Sequence, residues 1–163
     1  MSARQERTVR LSVLDRLIDR HPGLGDGRVT WDDTVDALKQ SLLEDLDWLL
    51  NSRRIAEPAP ERYPEIRSSV YHFGLPDVTS KSADSPQVQA DLAREIEECI
   101  RLFEPRLTAV RVSVRPGGEA GSRLTRFVIE GLLRLDPDPE RVLFDTVLET
   151  STGRFHISGD GDA

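Results

Sequence analysis

The stretch from Ile100 to Arg115 decides the fold, and it reads IRLFEPRLTAVRVSVR. An apolar stripe with helical spacing runs into Phe103. Pro105 then ends the helix, because proline lacks a backbone N–H and disfavours helical geometry in the residue before it. From Leu107 the period changes to two, which is typical of a half-buried strand, with apolar side chains at Val110, Val112 and Val114.

The turn Glu104-Pro105-Arg106 lies where the helix gives way to the sheet. A carboxylate at a helix C-terminus faces the negative end of the helix dipole, a conflict of about 0.3–1 kcal/mol that Arg106 can offset. Local rules are broken most often at functional sites, so this turn is the first candidate site. It is either an intrachain pair that orients the helix against the sheet or a contact for a partner. The residues alone favour the intrachain pair.

Upstream of this turn the pattern is helical. Thr30 with Asp33 forms a capping box that opens a helix predicted from about Trp31 to Arg53. Its apolar stripe consists of Trp31, Val35, Leu38, Leu42, Leu46 and Leu49. Trp48 falls on the polar side, where it packs under a loop or marks a partner surface. Ser85 with Pro86 begins a later helix, whose apolar face consists of Val88, Leu92, Ile96, Cys99 and Phe103.

Two shorter helices are predicted as well. One carries an apolar face over residues 12–18. The other begins at Pro64, ends at Gly74 in a left-handed cap, and carries apolar side chains at Ile66, Val70 and Phe73.

Downstream of the turn the chain alternates strands and turns. Further strands are predicted over residues 124–135 and 142–148, followed by a short final strand with Phe155 and Ile157. The order predicts an α+β fold, in which N-terminal helices pack on a C-terminal antiparallel β-meander of three to four strands. The final strand is predicted to form a sheet edge with unpaired backbone groups.

The length of 163 residues suits one domain, which we predict to span residues 10–158. Residues 1–9 are predicted to form a flexible N-terminal tail and residues 159–163 a disordered C-terminal tail. The net charge of −7 disfavours a nucleic-acid partner. No apolar run is long enough for membrane insertion, and the single cysteine gives no sign of an oxidising compartment. We therefore expect a cytoplasmic protein.

Catalytic and metal-binding patterns are missing from the sequence. The histidines His21, His72 and His156 have no ligand spacing, so no metal or other cofactor is predicted. The number of carboxylates alone leaves open a carboxylate pair for glycoside cleavage, with Glu104 as the acid. However, Arg106 beside it favours the charged form, whereas a general acid must hold a proton. We therefore predict no catalytic residues and no small-molecule substrate.

Four stretches together resemble one family. They are SVLDRL at 12–17, LLEDLDWLLNSRR at 42–54, SVYHFGLPD at 69–77 and FEPRL at 103–107. In this order they resemble the TssE family, which provides baseplate subunits of type VI secretion systems. TssE belongs in turn to the wider family of lysozyme-like wedge proteins of contractile tails. The likeness covers about residues 10–157.

The resemblance implies a structural role in place of an enzymatic one. Such subunits join the wedge with TssF and TssG and provide the platform where the sheath subunits TssB and TssC start to polymerise. It implies that Glu104, Pro105 and Arg106 contact the wedge core. It also implies that a neighbouring strand adds at the edge formed by Phe155 and Ile157. The alternatives are a peptidoglycan-hydrolysing lysozyme-like enzyme and a small anti-adaptor regulator of the same fold.

Overall fold

The computed structural model describes residues 31–57, 62–77, 85–115 and 123–159. Within this part the chain forms two helices and then four strands. They are α1 (Trp31–Asn51), α2 (Pro86–Phe103), β1 (Leu107–Arg115), β2 (Leu124–Leu133), β3 (Glu140–Glu149) and β4 (Arg154–Gly159). The predicted α+β class is confirmed. The helix predicted over residues 12–18 lies outside the described residues.

The four strands form one antiparallel sheet in the order β1-β2-β3-β4. Both helices pack on the same face of this meander, α2 against β1 and α1 against β4. The final strand β4 is an edge, as predicted. The strand β1 is the second edge, so the junction at residues 104–106 leads directly into it.

The core lies between the two helices and the helix-facing side of the sheet. The predicted stripe of α1 is buried from Val35 onward, and Leu42 and Leu46 are fully enclosed. The side chain of Trp31, the first member of that stripe, lies outside the described part. The other large buried side chains come from α2 and the strands, and they include Ile96, Ile100, Phe127, Ile129, Leu133, Leu148 and Phe155.

A β-bulge near the start of β1 sets which of its residues face the core. Ala109 and Val110 together oppose Gly131, and Ala109 has a left-handed backbone with φ of 51°. The extra residue shifts the alternation by one position. As a result both Leu107 and Val110, three residues apart, point towards the helices.

The prediction of one short helix between Pro64 and Gly74 is wrong. The segment forms two 3₁₀ turns, Pro64–Ser68 and Val70–His72. The extended backbone of Ser69 separates them, and its hydroxyl accepts a hydrogen bond from the N–H of Tyr71. Val70 is consequently 89% exposed and does not share an apolar face with Phe73.

Of the two alternatives left open for Trp48, packing under a loop does not hold, because the side chain is 73% exposed. It lies on the outer side of α1, one residue before the buried pair Leu49 and Leu50. This exposure fits the other alternative, in which Trp48 marks a partner surface.

Replacing Leu46 by alanine is expected to destabilise the protein by about 2–5 kcal/mol, since the side chain is fully enclosed and its removal leaves a cavity. Val70→Ala is the matched control, and it is expected to change the free energy of unfolding by no more than about 0.5 kcal/mol. Urea unfolding of both variants checks the prediction. Equal midpoints for Leu46→Ala and the wild type would contradict the assignment of this stripe to the core.

Candidate functional site

Glu104 ends α2 and begins the turn into β1. Its backbone N–H donates to the carbonyl of Ile100 at 2.8 Å, and its own carbonyl accepts from the N–H of Leu107 at 3.1 Å. Its φ of −120° and ψ of 80° lie outside the helical region, as the following Pro105 requires. The helix therefore ends where the sequence predicts.

The side chain of Glu104 is buried and paired with Arg106. The Nε of Arg106 donates to Oε1 at 2.7 Å, and Nη2 donates to Oε2 at 2.5 Å. The backbone N–H of Arg106 also donates to Oε1, at 3.1 Å. This two-pronged arrangement is the strongest geometry for an arginine and a carboxylate. The hydrogen bonds to Glu104 raise the pKa of Arg106 above its ordinary value, so the guanidinium stays charged.

The same guanidinium reaches across to α1. Its Nη1 donates to the hydroxyl of Ser41 at 3.2 Å, and its Nη2 donates to Asp45. Four of the five N–H groups of Arg106 are thus used within the chain. We call Glu104, Arg106, Ser41 and Asp45 the junction cluster. It fastens the end of α2 and the start of β1 to the middle of α1.

Exposure differs sharply within the junction cluster. The side chain of Glu104 is 6% exposed, that of Arg106 is 25% exposed, and that of Asp45 is 56% exposed. Pro105 is exposed as well. The surface that another protein can reach here therefore consists of Pro105, Asp45 and one side of Arg106. Sequence reasoning missed Ser41 and Asp45, although a buried serine beside Leu42 on the apolar stripe is a signal for a polar partner.

The other predicted site residues, Phe155 and Ile157, lie on β4 at the opposite edge of the sheet. The side chain of Phe155 belongs to the core, where its ring lies 6.5 Å from that of Phe127. Its backbone N–H donates to Oδ1 of Asn51 at 2.9 Å, and its carbonyl accepts from Nδ2 of Asn51 at 3.0 Å. The amide of Asn51 thus takes the place of a neighbouring strand. The prediction of unpaired edge groups is wrong at this residue.

The backbone of Ile157 remains at the edge without such a cap. Outward-facing N–H and C=O groups recur at every second residue of an edge strand, so Ile157 faces the same way as Phe155. No partner for these two groups occurs among the described residues. The side chain of Ile157 is half-buried and packs against the core. The available part of the β4 edge is therefore short and centred on Ile157.

The segment 69–77 docks on the C-terminal end of α1 through Gly74 and Leu75. The N–H of Leu75 donates to the carbonyl of Ser52 at 3.0 Å, and the N–H of Arg54 donates to the carbonyl of Leu75 at 2.8 Å. Gly74 has a φ of 93°, and an added Cβ would lie only 2.2 Å from the Ser52 oxygen. Only glycine fits this approach.

The buried thiol of Cys99 secures the same turn from α2, since it donates to the carbonyl of Gly74 at 3.4 Å. Burial raises the pKa of Cys99 to about 11. The side chain of Arg54 adds an ion pair with Glu95 at 3.1 Å. Two of the stretches quoted above, 42–54 and 69–77, thus form one packed unit with α2.

Across residues 31–57, 62–77, 85–115 and 123–159, no group of three or more histidine, cysteine, aspartate or glutamate side chains is arranged to hold a metal ion. In the same ranges, the helices are too short or too polar to cross a membrane.

Two helices packed on one face of a four-stranded antiparallel meander define a small α+β domain whose candidate sites are a charged junction and a sheet edge. Residues 36–138 match the model of the family described as baseplate wedge protein gp25. This range is more than half of the chain, so the chain belongs to that family, the family of TssE-like baseplate proteins. It runs from α1 through β2 and includes the junction cluster. No curated protein matches the chain in sequence.

Membership gives the chain a structural role in the baseplate of a contractile tail. It also implies that the chain contacts other baseplate proteins. The family match ends before β3, so the edge strand β4 lies outside it.

Replacing Arg106 by alanine is expected to destabilise the isolated protein by about 3–5 kcal/mol, because Glu104 is left as a buried carboxylate without its partner. Asp45→Ala removes an exposed partner of the same guanidinium and is expected to cost about 1 kcal/mol or less. Denaturant unfolding of the two variants gives the comparison. If Arg106→Ala unfolds at the wild-type midpoint, the junction cluster does not hold α2 to α1.

Cys99 makes the stability depend on pH in the alkaline range. The folded state holds the thiol proton up to about pH 11, whereas the unfolded chain releases it near the ordinary value of 9.0. The protonated thiol contributes fully to the free energy of unfolding below pH 9. This contribution declines by on the order of 2 kcal/mol as the pH rises towards 11. Cys99→Ala lacks this decline, so the difference in the free energy of unfolding between wild type and variant should become smaller as the pH rises. Urea unfolding at pH 8, 9 and 10.5 measures it, and a constant difference would contradict the prediction.

Proposed function

We propose that this chain is the TssE-type subunit of a type VI secretion system baseplate. In this role it joins the wedge with TssF and TssG and provides the platform where the sheath subunits TssB and TssC begin to polymerise on the cytoplasmic side. Membership of the wedge family and the four stretches quoted above support the assignment. The observation that carries it is the short open edge of β4 around Ile157.

An added strand fits this edge chemically. Ile157 offers one N–H donor and one C=O acceptor, and a strand from a sheath subunit would satisfy both by extending the sheet. A groove of about 500 Å³ lies beside this edge, between α1 and the strands. Its walls combine Leu43 and Ile157 with charged side chains such as Lys39 and Arg141, so it has room for both apolar and polar side chains of the added strand. Asn51 limits the open length by capping Phe155.

The junction cluster is proposed as the contact with the wedge. Pro105 and the exposed side of Arg106 would meet TssF or TssG directly. Glu104 would act through Arg106, because its buried carboxylate holds the guanidinium in one orientation. The junction leads into β1 and the open edge belongs to β4, at the two ends of the sheet order. Both partners can therefore bind together.

No catalytic role is included in this proposal. A general acid has to reach its substrate and transfer a proton to it. Glu104, the carboxylate considered for that role, is 5% exposed, and Arg106 already occupies both of its oxygens.

Ile157→Pro tests the edge directly. The N–H of Ile157 faces away from β3, so proline there removes the donor needed by an incoming strand without breaking a bond inside the sheet. The variant is expected to fold and to co-purify with the wedge subunits, while sheath extension falls strongly. Electron microscopy of sheaths in cells and thermal unfolding of the purified protein provide the two readouts.

Ser158→Pro is the matched control for this test. By the same alternation its N–H faces β3, opposite Asp145, so proline at this position breaks the ladder and should lower the melting temperature. Sheaths of normal length in cells carrying a folded Ile157→Pro variant would exclude strand addition at this edge.

A further inference from the structure

The sheet has a second face, directed away from both helices. Successive side chains of a strand point to opposite faces of the sheet, so this face carries the strand residues that lie between the core positions. Its strand residues are Thr108, Arg111, Ser113, Arg115, Leu124, Arg126, Val128, Glu130, Leu132, Arg141, Leu143, Asp145, Val147, Glu149, Arg154, His156 and Ser158. In the described part of the chain no helix packs on this face. We call it the outer face.

The outer face is positively charged on an acidic protein. Its strands carry five arginines and three carboxylates, a net charge of +2, whereas the whole chain carries −7. Two of the arginines are neutralised within the sheet, Arg115 by Asp145 at 3.4 Å and Arg141 by Glu130 at 3.1 Å. The remaining three are Arg111, Arg126 and Arg154.

These three arginines are exposed, and the described residues provide no ion-pair partner for them. The nearest candidate in the register is Glu149, which pairs with Arg154 across β3 and β4. Its carboxylate is instead occupied by hydroxyl groups of the following turn, Thr152 at 2.8 Å and Ser151 at 3.0 Å. The uncompensated positive charge therefore spans the sheet from β1 to β4.

An apolar centre lies between these charges. Val128 on β2 is only 5% exposed although no helix covers it in the described part, and Leu143 and Val147 on β3 are half-buried beside it. Leu124 and Leu132 extend the apolar surface towards both ends of β2, at 46% and 36% exposure. An apolar centre with a charged rim is the usual anatomy of a protein–protein interface.

We propose that the outer face binds an acidic surface of another baseplate protein; the inference rests on the baseplate role proposed above. Charge complementarity selects the partner, because free arginines on both sides of an apolar centre fit carboxylates that surround an apolar patch. A protein fits better than a nucleic acid. The whole chain carries −7, which disfavours a polyanion, and a phosphate backbone would leave the apolar centre without an apolar partner.

Site-specific labelling tests this assignment. Ser113 is exposed on the outer face and lies opposite Val128 in the register. The native Cys99 is buried, so a cysteine introduced at Ser113 provides the reactive thiol among the described residues. In the purified baseplate complex, maleimide should react with Ser113→Cys at least about tenfold more slowly than in the free protein. Equal rates in the complex and in the free protein would overturn the proposal.

Charge reversal tests the chemistry of the partner. Arg126→Glu combined with Arg154→Glu should reduce the amount of chain retained in the baseplate by at least about tenfold, and retention of the wild type should fall as salt is added. Arg94→Glu combined with Arg101→Glu makes the same charge change on the exposed side of α2, away from the outer face, and serves as the matched control. Full retention of the double variant, with a wild-type melting temperature, would overturn the proposal.

Three outcomes separate the partner, the baseplate role and the outer-face inference. Loss of the Ser113 protection after nuclease treatment would assign the face to a nucleic acid and overturn the protein partner. Absence of the wild-type chain from purified baseplates would overturn the baseplate role as well. If the chain is present in purified baseplates but Ser113→Cys reacts there as fast as in the free protein, only the outer-face inference is overturned.

Discussion

The buried pair of Glu104 and Arg106 is the interaction on which the rest of the arrangement depends. It joins the residue that follows α2 to the residue that precedes β1, and through Ser41 and Asp45 it fixes both to α1. The same helix ends at Asn51, which holds β4 by its backbone. A buried ion pair need not be more stabilising than apolar residues of similar volume, so its value here lies in fixing orientation.

Each edge of the sheet is partly capped by a side chain of the helix packed beside it, and this bears on assembly. On β1 the N–H of Val112 donates to the Glu97 carboxylate of α2 at 3.2 Å. On β4 Asn51 caps Phe155 and leaves Ile157 open. Exposed edges promote unwanted pairing between chains, and side-chain caps reduce the length of edge backbone that is open to such pairing. A short remaining segment can accept one strand in a fixed register while offering little length for indiscriminate pairing.

Periodicity predicted the elements that depend on local sequence. The stripe of α1, the end of α2 at Glu104 and the alternation of the strands follow from spacing and from Pro105. Contacts between distant residues could not be predicted this way. The bulge at Ala109, the cap by Asn51 and the link from Arg106 to Ser41 depend on which elements become neighbours. The short helix failed for a local reason, since the hydroxyl of Ser69 competes for the backbone of Tyr71.

The chemistry of the junction explains why it needs these three residue types in this order. Pro105 forces the backbone of Glu104 out of the helix, so its carboxylate turns back towards the chain that follows. A planar guanidinium can then bind both carboxylate oxygens and still direct N–H groups to Ser41 and Asp45. A lysine ammonium is a single point with three donors and cannot span these acceptors in one plane. Arginine at 106 is therefore required by geometry, even where charge alone would allow lysine.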